Sequence, residues 1–264
     1  MTSTTTATDH GDWQANGWLV ERRALGDDLV AAVEAAVDEV AGWAERARRG
    51  EPAPGMHHWE QTDAGAALAR SEDLLDQPTL RDLIVGEQLL ASASSLLGEQ
   101  AVLFKEKINY KHPGGAGFAP HQDASAYRFS DHHVSCMVPL DPATTESGCL
   151  WVVAGQHQGL LASTPGGRVD PEVAATLTWE PAEVAPGDLL WFDSYTPHRS
   201  DTNRSERARR ALYLTYNAAR DGDLRARYYD DKRAEFTAGD GLAADGRVRV
   251  SITDDYLGRP VEDA

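Results

Sequence analysis

From Gly98 onward the chain changes its period. Between Val102 and Tyr110, Phe104, Glu106, Ile108 and Tyr110 fall on one face, and Lys105, Lys107 and Asn109 fall on the other. This is the alternation of an extended strand. HVSCMVPL (133–140), GCLWVV (148–153), DLLWF (188–192) and RALYLTY (210–216) follow as short β-branched or aromatic runs set between Gly, Pro and Asp. Short strands punctuated in this way predict an antiparallel sandwich or barrel.

The preceding residues read as helices. Residues 1–12 are Thr-rich with little to bury, which predicts a disordered tail. Leu25, Leu29, Val33, Val37, Val40 and Trp43 make one helical stripe, and Gly50, Pro52, Pro54 and Gly55 end it. HHWEQTDAG reads as irregular chain. Its adjacent His57 and His58 diverge on any regular element, which makes them a poor ligand pair. Ser71 is placed to cap a short helix. Pro78 opens a longer one, with Leu80, Leu83, Ile84, Leu90 and Leu97 inward and Gly98 just past its end. The expected organisation is therefore a tail over 1–12 and one domain over 13–264. Within that domain, 13–98 is mainly helical, 99–217 is the β core and 218–264 is a mixed segment packed over it. STPGGRVDPEV (163–173) reads as an inserted surface loop. The fold class is mainly β, with flanking helices packed on one sheet.

Composition narrows the function. With 41% hydrophobic and 25% charged residues among 264, the chain is an ordinary soluble globular protein. A net charge of −17 argues against nucleic acid and anionic membrane as partners. No apolar run reaches the length of a membrane span, and the polar N-terminus lacks the apolar stretch of a secretory signal, so a cytoplasmic location is expected. Cys136 and Cys149 each lie inside apolar stretches and read as buried thiols, with neither a disulfide nor a zinc site expected. A monomer or homodimer is expected.

The chemistry centres on His121-Gln122-Asp123, within GGAGFAPHQDASAY. On a strand, the imidazole and the carboxylate would share a face and could share a metal ion. A second His would complete the facial triad of non-haem Fe(II) oxygenases. His-x-Asp arises often by chance, so a partner is required. His198, in WFDSYTPHRSDTN, lies 77 residues further on, past a strand introduced by Pro186-Gly187-Asp188. A jelly roll brings such distant strands together. Three protein ligands leave room for O2 and a chelating 2-oxo acid, whose far carboxylate needs a planar, permanently charged partner. Arg209 follows His198 by 11 residues, and Ser200 could add a hydroxyl. Arg204, Arg207 and Arg210 share the charge cluster but not the spacing.

Taken together, His-Gln-Asp, the run GCLWV with Gly155 and His157 after it, Pro-Gly-Asp…Pro-His-x-Ser and the Arg at +11 resemble the phytanoyl-CoA dioxygenase family over roughly residues 102–217. The resemblance implies a double-stranded β-helix (a cupin-like jelly roll) and an Fe(II)- and 2-oxoglutarate-dependent oxygenase using O2. It implies His121, Asp123 and His198 as iron ligands, with Arg209 and Ser200 on the co-substrate's C5 carboxylate. KINYK (107–111) is similar to the strand of ectoine hydroxylases that carries an Asn contact to 2-oxoglutarate, which puts Asn109 at the co-substrate. Met137 departs from the family's Trp, and His157 is read as structural. Halogenases of the family carry a small residue where this chain has Asp123, so hydroxylation is implied.

If Asn109 points inward, so do Lys105 and Lys107, and buried lysines need an anionic partner. A small anionic substrate follows, with Gln122, Tyr127, Ser135 and Trp151 as further candidates at the mouth. KEKINYK, GGAGF and HQDA, with YYDDKR (228–233), resemble bacterial organophosphonate hydroxylases. Alternatives are a hydroxylase of an amino acid or natural-product intermediate, and a non-redox cupin-like isomerase or binding protein. An acyl-CoA substrate ranks lower, because the chain offers no extended basic surface for its phosphates.

Overall fold

The alternating runs form two facing antiparallel sheets in the computed structural model, which describes residues 7–126, 130, 132–238, 246–250 and 253–261. The chain enters through α1 (Ala7–Asn16) and β1 (Trp18–Glu21). Helix thus begins at Ala7, within the stretch expected as a tail, and residues 1–6 lie outside the described ones. Trp13 anchors this segment by burying its ring in the main core.

α2 (Asp27–Arg48) buries Val33, Val37, Val40 and Trp43 along the expected stripe. Asp27 and Asp28 at its start and Arg46 and Arg48 at its end suit the helix dipole. A hairpin follows where irregular chain and a Ser71-capped helix were expected: β2 (Met56–Thr62) pairs with β3 (Gly65–Glu72). Its inward residues are polar, so the alternation carried no apolar signal. Arg70, Ser71 and Glu72 are all buried on β3, and Ser71 Oγ meets His57 Nδ1 at 2.9 Å. Residues 13–98 thus hold three strands as well as helices.

The helix expected from Pro78 is two: α3 (Pro78–Ile84) and α4 (Glu87–Leu97). The break falls at Gly86, where a Cβ would lie 2.5 Å from the Asp82 carbonyl oxygen. Gly98 ends α4 in the left-handed conformation, as its position predicted.

The β-rich part runs through β4 (Ala101–Lys111), β5 (Phe118–His121), β6 (His133–Pro139), β7 (Leu150–Val152), α5 (Pro171–Thr176), β8 (Glu180–Ala182), β9 (Leu189–Asp193), β10 (His198–Ser200), β11 (Arg209–Ala218) and α6 (Arg225–Ala238). The larger sheet has the order β1-β9-β6-β11-β4-β3-β2, and the smaller has β5-β10-β7-β8. This is the jelly-roll arrangement, in which neighbours in space are distant in sequence.

Strand alternation sorts the side chains into two compartments. Outward residues such as Ile108, Tyr110, Cys136, Val138, Leu212 and Leu214 pack with Val37, Val40, Leu80 and Ile84 of the helices in one apolar layer. Inward residues such as Met137, Leu150, Val152, Leu190 and Phe192 fill the space between the sheets. Cys136 and Cys149 are free and buried. No helix among the described residues is long and apolar enough to cross a membrane.

α6 covers the outer side of β4 near Phe104, against which Tyr228 and Tyr229 pack. Glu106, fully buried, takes Arg225 Nε at 3.0 Å and the Leu74 N–H at 2.8 Å. The outward Glu106 is thus satisfied by the C-terminal helix and does not neutralise the inward lysines. Removing Arg225 strands this carboxylate, so Arg225→Ala should cost about 3–5 kcal/mol in denaturant unfolding. The loss should shrink as pH falls, because burial raises the Glu106 pKa and protonation removes the stranded charge. Adding Glu106→Gln to the variant should recover part of it.

Candidate active site

The site forms where β5 meets β10. His121 and His198 are antiparallel partners, their ring centroids 4.1 Å apart. Gly117 permits the approach: a Cβ there would stand 1.9 Å from the Ser200 carbonyl oxygen. The chain leaves the strand at His121, and Asp123 opens a 3-10 turn over Asp123–Ala126. The two residues therefore converge across a strand end instead of sharing one strand face as the spacing suggested. The turn is held by the Ala124 N–H on the Ser194 carbonyl and by Ser125 Oγ on the Gln122 carbonyl.

One donor atom from each of His121, Asp123 and His198 lies within 4.8 Å of the other two. Their chemistry suits a divalent iron. His121 Nδ1 donates to the Ala119 carbonyl at 2.7 Å and His198 Nδ1 to the Thr196 carbonyl at 3.0 Å. A carbonyl only accepts, so each ring keeps its proton on Nδ1 and turns a bare Nε2 inward. Burial pushes the His198 pKa down to about 4, which keeps it a neutral ligand. Burial alone would raise the Asp123 pKa, but the cations across the cavity, Lys105 foremost and Lys107 with it, hold it well below the usual carboxylate range. His57 and His58 sit apart on β2 and are not in this group.

The triad opens onto a cavity between the sheets. Its far wall is the inner face of β4 and β11, where the register sets Lys111 beside Arg209, Asn109 beside Ala211, Lys107 beside Tyr213 and Lys105 beside Thr215. Lys105, Lys107 and Asn109 line it, as their alternation predicted, together with Ser135. Ser135 Oγ donates to Asp123 Oδ2 at 3.3 Å and lies 3.1 Å from Thr215 Oγ1. Lys105 stands over the Tyr228 ring and Lys107 over the Tyr213 ring, each at 5.5 Å. Burial lowers both lysine pKa values, and Arg70 and Lys105 lower that of Lys107 further.

Arg209 and Ser200 occupy the closed end, just behind the cavity lining. Arg209 is buried, donates to the Gly148 carbonyl at 2.8 Å and to Tyr213 Oη at 3.3 Å, and has no Nε partner among the described residues. Lys111 joins it, donating to Ser200 Oγ at 2.9 Å, the Gly148 carbonyl at 3.1 Å and the Asp201 carbonyl at 2.6 Å. Asn109 Oδ1 accepts from Arg70 Nε at 3.0 Å, which fixes the amide. The decoy Arg210 faces the other way and pairs with Asp141 and Asp38.

Two candidates are not in the cavity. Gln122 turns away from it: its amide donates to the Gly159 and Tyr195 carbonyls and accepts from the Leu161 N–H, stapling two loops. Trp151 projects from the outer side of β7, opposite its cavity-lining neighbour Leu150, and stacks on Arg199 at 5.2 Å. Tyr127 lies outside the described residues. Sequence reasoning missed Lys111, Tyr213, Thr215, Tyr228 and Asp255. The first three continue the period-2 faces of Lys105 and Arg209 and were legible by extension. Tyr228 opens the YYDDKR run (228–233) that the resemblance included, though no period there points it inward, and Asp255 comes from the C-terminal segment with no local signal.

A jelly roll carrying a buried His-Asp-His triad, with a cationic closed end behind it, defines a mononuclear non-haem iron oxygenase. The chain belongs to the phytanoyl-CoA dioxygenase (PhyH) family, whose model matches residues 13–211. It is 39% identical to the methylphosphonate hydroxylase of Gimesia maris over 264 residues, covering 99% of each chain. It is 40% identical to the 2-aminoethylphosphonate dioxygenase of an uncultured bacterium, covering 95% of this chain and 96% of that one. The fold matches the crystal structure of EctD from S. alaskensis with 2-oxoglutarate and 5-hydroxyectoine, with a TM-score of 0.68 at 20% identity over 84% of this chain and 80% of that one.

His198→Ala should weaken iron binding by more than the roughly 10–100-fold that loss of an outer hydrogen-bond partner costs. Iron content after dialysis against a weak chelator measures it, and full retention of iron would remove His198 from the ligand set.

Proposed function

We propose that this protein is an Fe(II)- and 2-oxoglutarate-dependent dioxygenase that hydroxylates a small organophosphonate. The observation that carries the reading is the pair of lysines, buried Lys105 and half-buried Lys107, on the cavity wall with the triad. Two full-length relatives named for phosphonate substrates support it.

His121, Asp123 and His198 hold the iron, which when bound supplies O2 activation coupled to oxidative decarboxylation of 2-oxoglutarate. One oxygen atom enters the substrate C–H bond as hydroxyl, the other enters succinate, and CO2 leaves. Asp123 would be a ligand to the metal where halogenases of the family carry a small residue, which favours hydroxylation over halogenation. At the closed end Arg209 presents its fork to the C5 carboxylate, and Ser200 Oγ, which accepts from Lys111, turns its own proton the same way. Asn109, fixed by Arg70, donates to the co-substrate through its amide nitrogen. Lys105 and Lys107 neutralise the phosphonate and hold the target carbon toward the metal. The sheets and α6 exclude water around them. The enclosed cavity suits a small molecule better than an acyl-CoA.

Arg209→Ala should raise the KM for 2-oxoglutarate about 10–100-fold, the worth of a hydrogen bond to a charged group. It should also abolish the visible band formed when iron and 2-oxoglutarate are added without O2. Lys105→Met should leave that band intact and remove phosphonate-triggered succinate release. Both lysines must be charged to bind the anion and burial lowers their pKa values. The wild-type kcat/KM for the phosphonate should therefore fall on the alkaline side before an ordinary lysine at 10.5 would titrate. A screen of phosphonates, phosphates and carboxylates for succinate release tests the whole reading. Turnover of carboxylates alone would replace it with an amino-acid hydroxylase.

A further inference from the structure

Tyr213 stands between the two halves of the cationic wall and touches both. The inward residues of β11 run Arg209, Ala211, Tyr213 and Thr215. Residues four apart on one strand face are separated by roughly 13 Å, too far for short side chains to meet. Between Arg209 and Tyr213 that face carries only the methyl group of Ala211. The guanidinium and the phenol therefore reach each other along the strand, and Arg209 Nη1 donates to Tyr213 Oη at 3.3 Å.

The face of the same ring meets the other half of the wall. Lys107 is the cross-strand partner of Tyr213 on β4. Its Nζ lies 5.5 Å from the ring centroid, within the range at which an aromatic face attracts an ammonium group. The pairing fixes this contact, because the two backbones are joined in register.

The phenolic proton is the remaining group. Tyr213 Oη accepts from Arg209, and its own proton has no acceptor among the described residues. Tyr213 is only 7% exposed, yet it lines the cavity, whereas Arg209 stands behind the lining. A buried hydroxyl on a cavity wall calls for an acceptor within that cavity. An anionic one suits it best, because a hydroxyl whose oxygen is engaged by a guanidinium is polarised toward donation.

We propose that Tyr213 is a binding residue shared by co-substrate and substrate. Its hydroxyl donates to the 2-oxoglutarate C5 carboxylate beside Arg209, and its ring holds the Lys107 ammonium in place for the phosphonate. This rests on the reading of the cavity as a site for 2-oxoglutarate and a phosphonate, and deepens it. The two halves of the side chain serve different ligands, so they can be removed separately.

The test is anaerobic calorimetry of the Fe(II)-loaded protein. The ligands are 2-oxoglutarate, 2-oxopentanoate, which has a methyl group in place of the C5 carboxylate, and methylphosphonate at saturating 2-oxoglutarate. Tyr213→Phe keeps the ring and loses the hydroxyl. It should bind 2-oxoglutarate about 10-fold more weakly, the scale of one hydrogen bond to a charged group. Its affinities for 2-oxopentanoate and methylphosphonate should equal those of the wild type. Tyr213→Leu loses the ring as well, and should also bind methylphosphonate about 2–10-fold more weakly, the worth of a cation–π contact. Both variants should retain iron. A merely structural tyrosine would not divide the losses in this way. Wild-type affinity for 2-oxoglutarate in Tyr213→Phe, or an equal loss for 2-oxopentanoate, would overturn the proposal at the hydroxyl. Wild-type affinity for methylphosphonate in Tyr213→Leu would overturn it at the ring. Failure of the wild type to bind methylphosphonate would overturn the phosphonate reading and the role of the ring together, while the two oxo acids would still decide the hydroxyl.

Discussion

The pairing of β5 with β10 is the contact on which the site depends. It sets His121 opposite His198, and the β5 strand ends there so that Asp123 can turn in beside them. A single absent side chain makes this possible, since Gly117 lies too close to the Ser200 carbonyl for any Cβ. The two histidines are then oriented from behind, each by the backbone carbonyl two residues earlier in the chain. The orientation of both imidazoles is therefore a property of main-chain hydrogen bonding.

Opposite this small sheet, β4 and β11 carry a ladder of cations: buried Lys105 and Lys111 with half-buried Lys107 between them on one strand, and buried Arg209 on the other. In a chain with a net charge of −17, such a concentration of positive charge inside the barrel is costly unless anions enter. The ladder has two ends. Lys111 and Arg209 converge on the Gly148 carbonyl at the closed end, and Lys105 faces Ser135, Thr215 and Tyr228 near the mouth. Two acids, 2-oxoglutarate and a phosphonate, match this separation in space.

Much of this was legible in the sequence, because strand alternation is a local property. The inward face of Lys105, Lys107 and Asn109 was read directly from period 2, and the separation of Arg209 from Arg210 followed from the same logic. The helical stripe of α2 was legible for a similar reason. What escaped notice was whatever lacked an apolar period or depended on distant chain. The β2–β3 hairpin hides Arg70 and Glu72 inside, so its pattern looked like loop. Gln122 sits between two metal ligands, yet its amide is consumed by the Gly159, Tyr195 and Leu161 backbone, which only the folded chain brings near. Trp151 alternates with Leu150 and so had to face outward, a conclusion that the strand period itself contained. Tyr228 and Asp255 reach the cavity from the C-terminal segment, and no local period announces them.

The short strand β1 has a role beyond closing the larger sheet. It pairs with β9 through Trp18–Phe192, Leu19–Trp191, Val20–Leu190 and Glu21–Leu189. Without it, Leu-Leu-Trp-Phe would lie at a sheet edge with a row of unpaired amides, the kind of surface on which chains aggregate edge to edge. Four residues near the N-terminus thus act as a solubility guard for the whole barrel, and a shortened form that begins after Glu21 would expose an adhesive edge along β9, whose Phe192 ring lies 4.8 Å from that of His198.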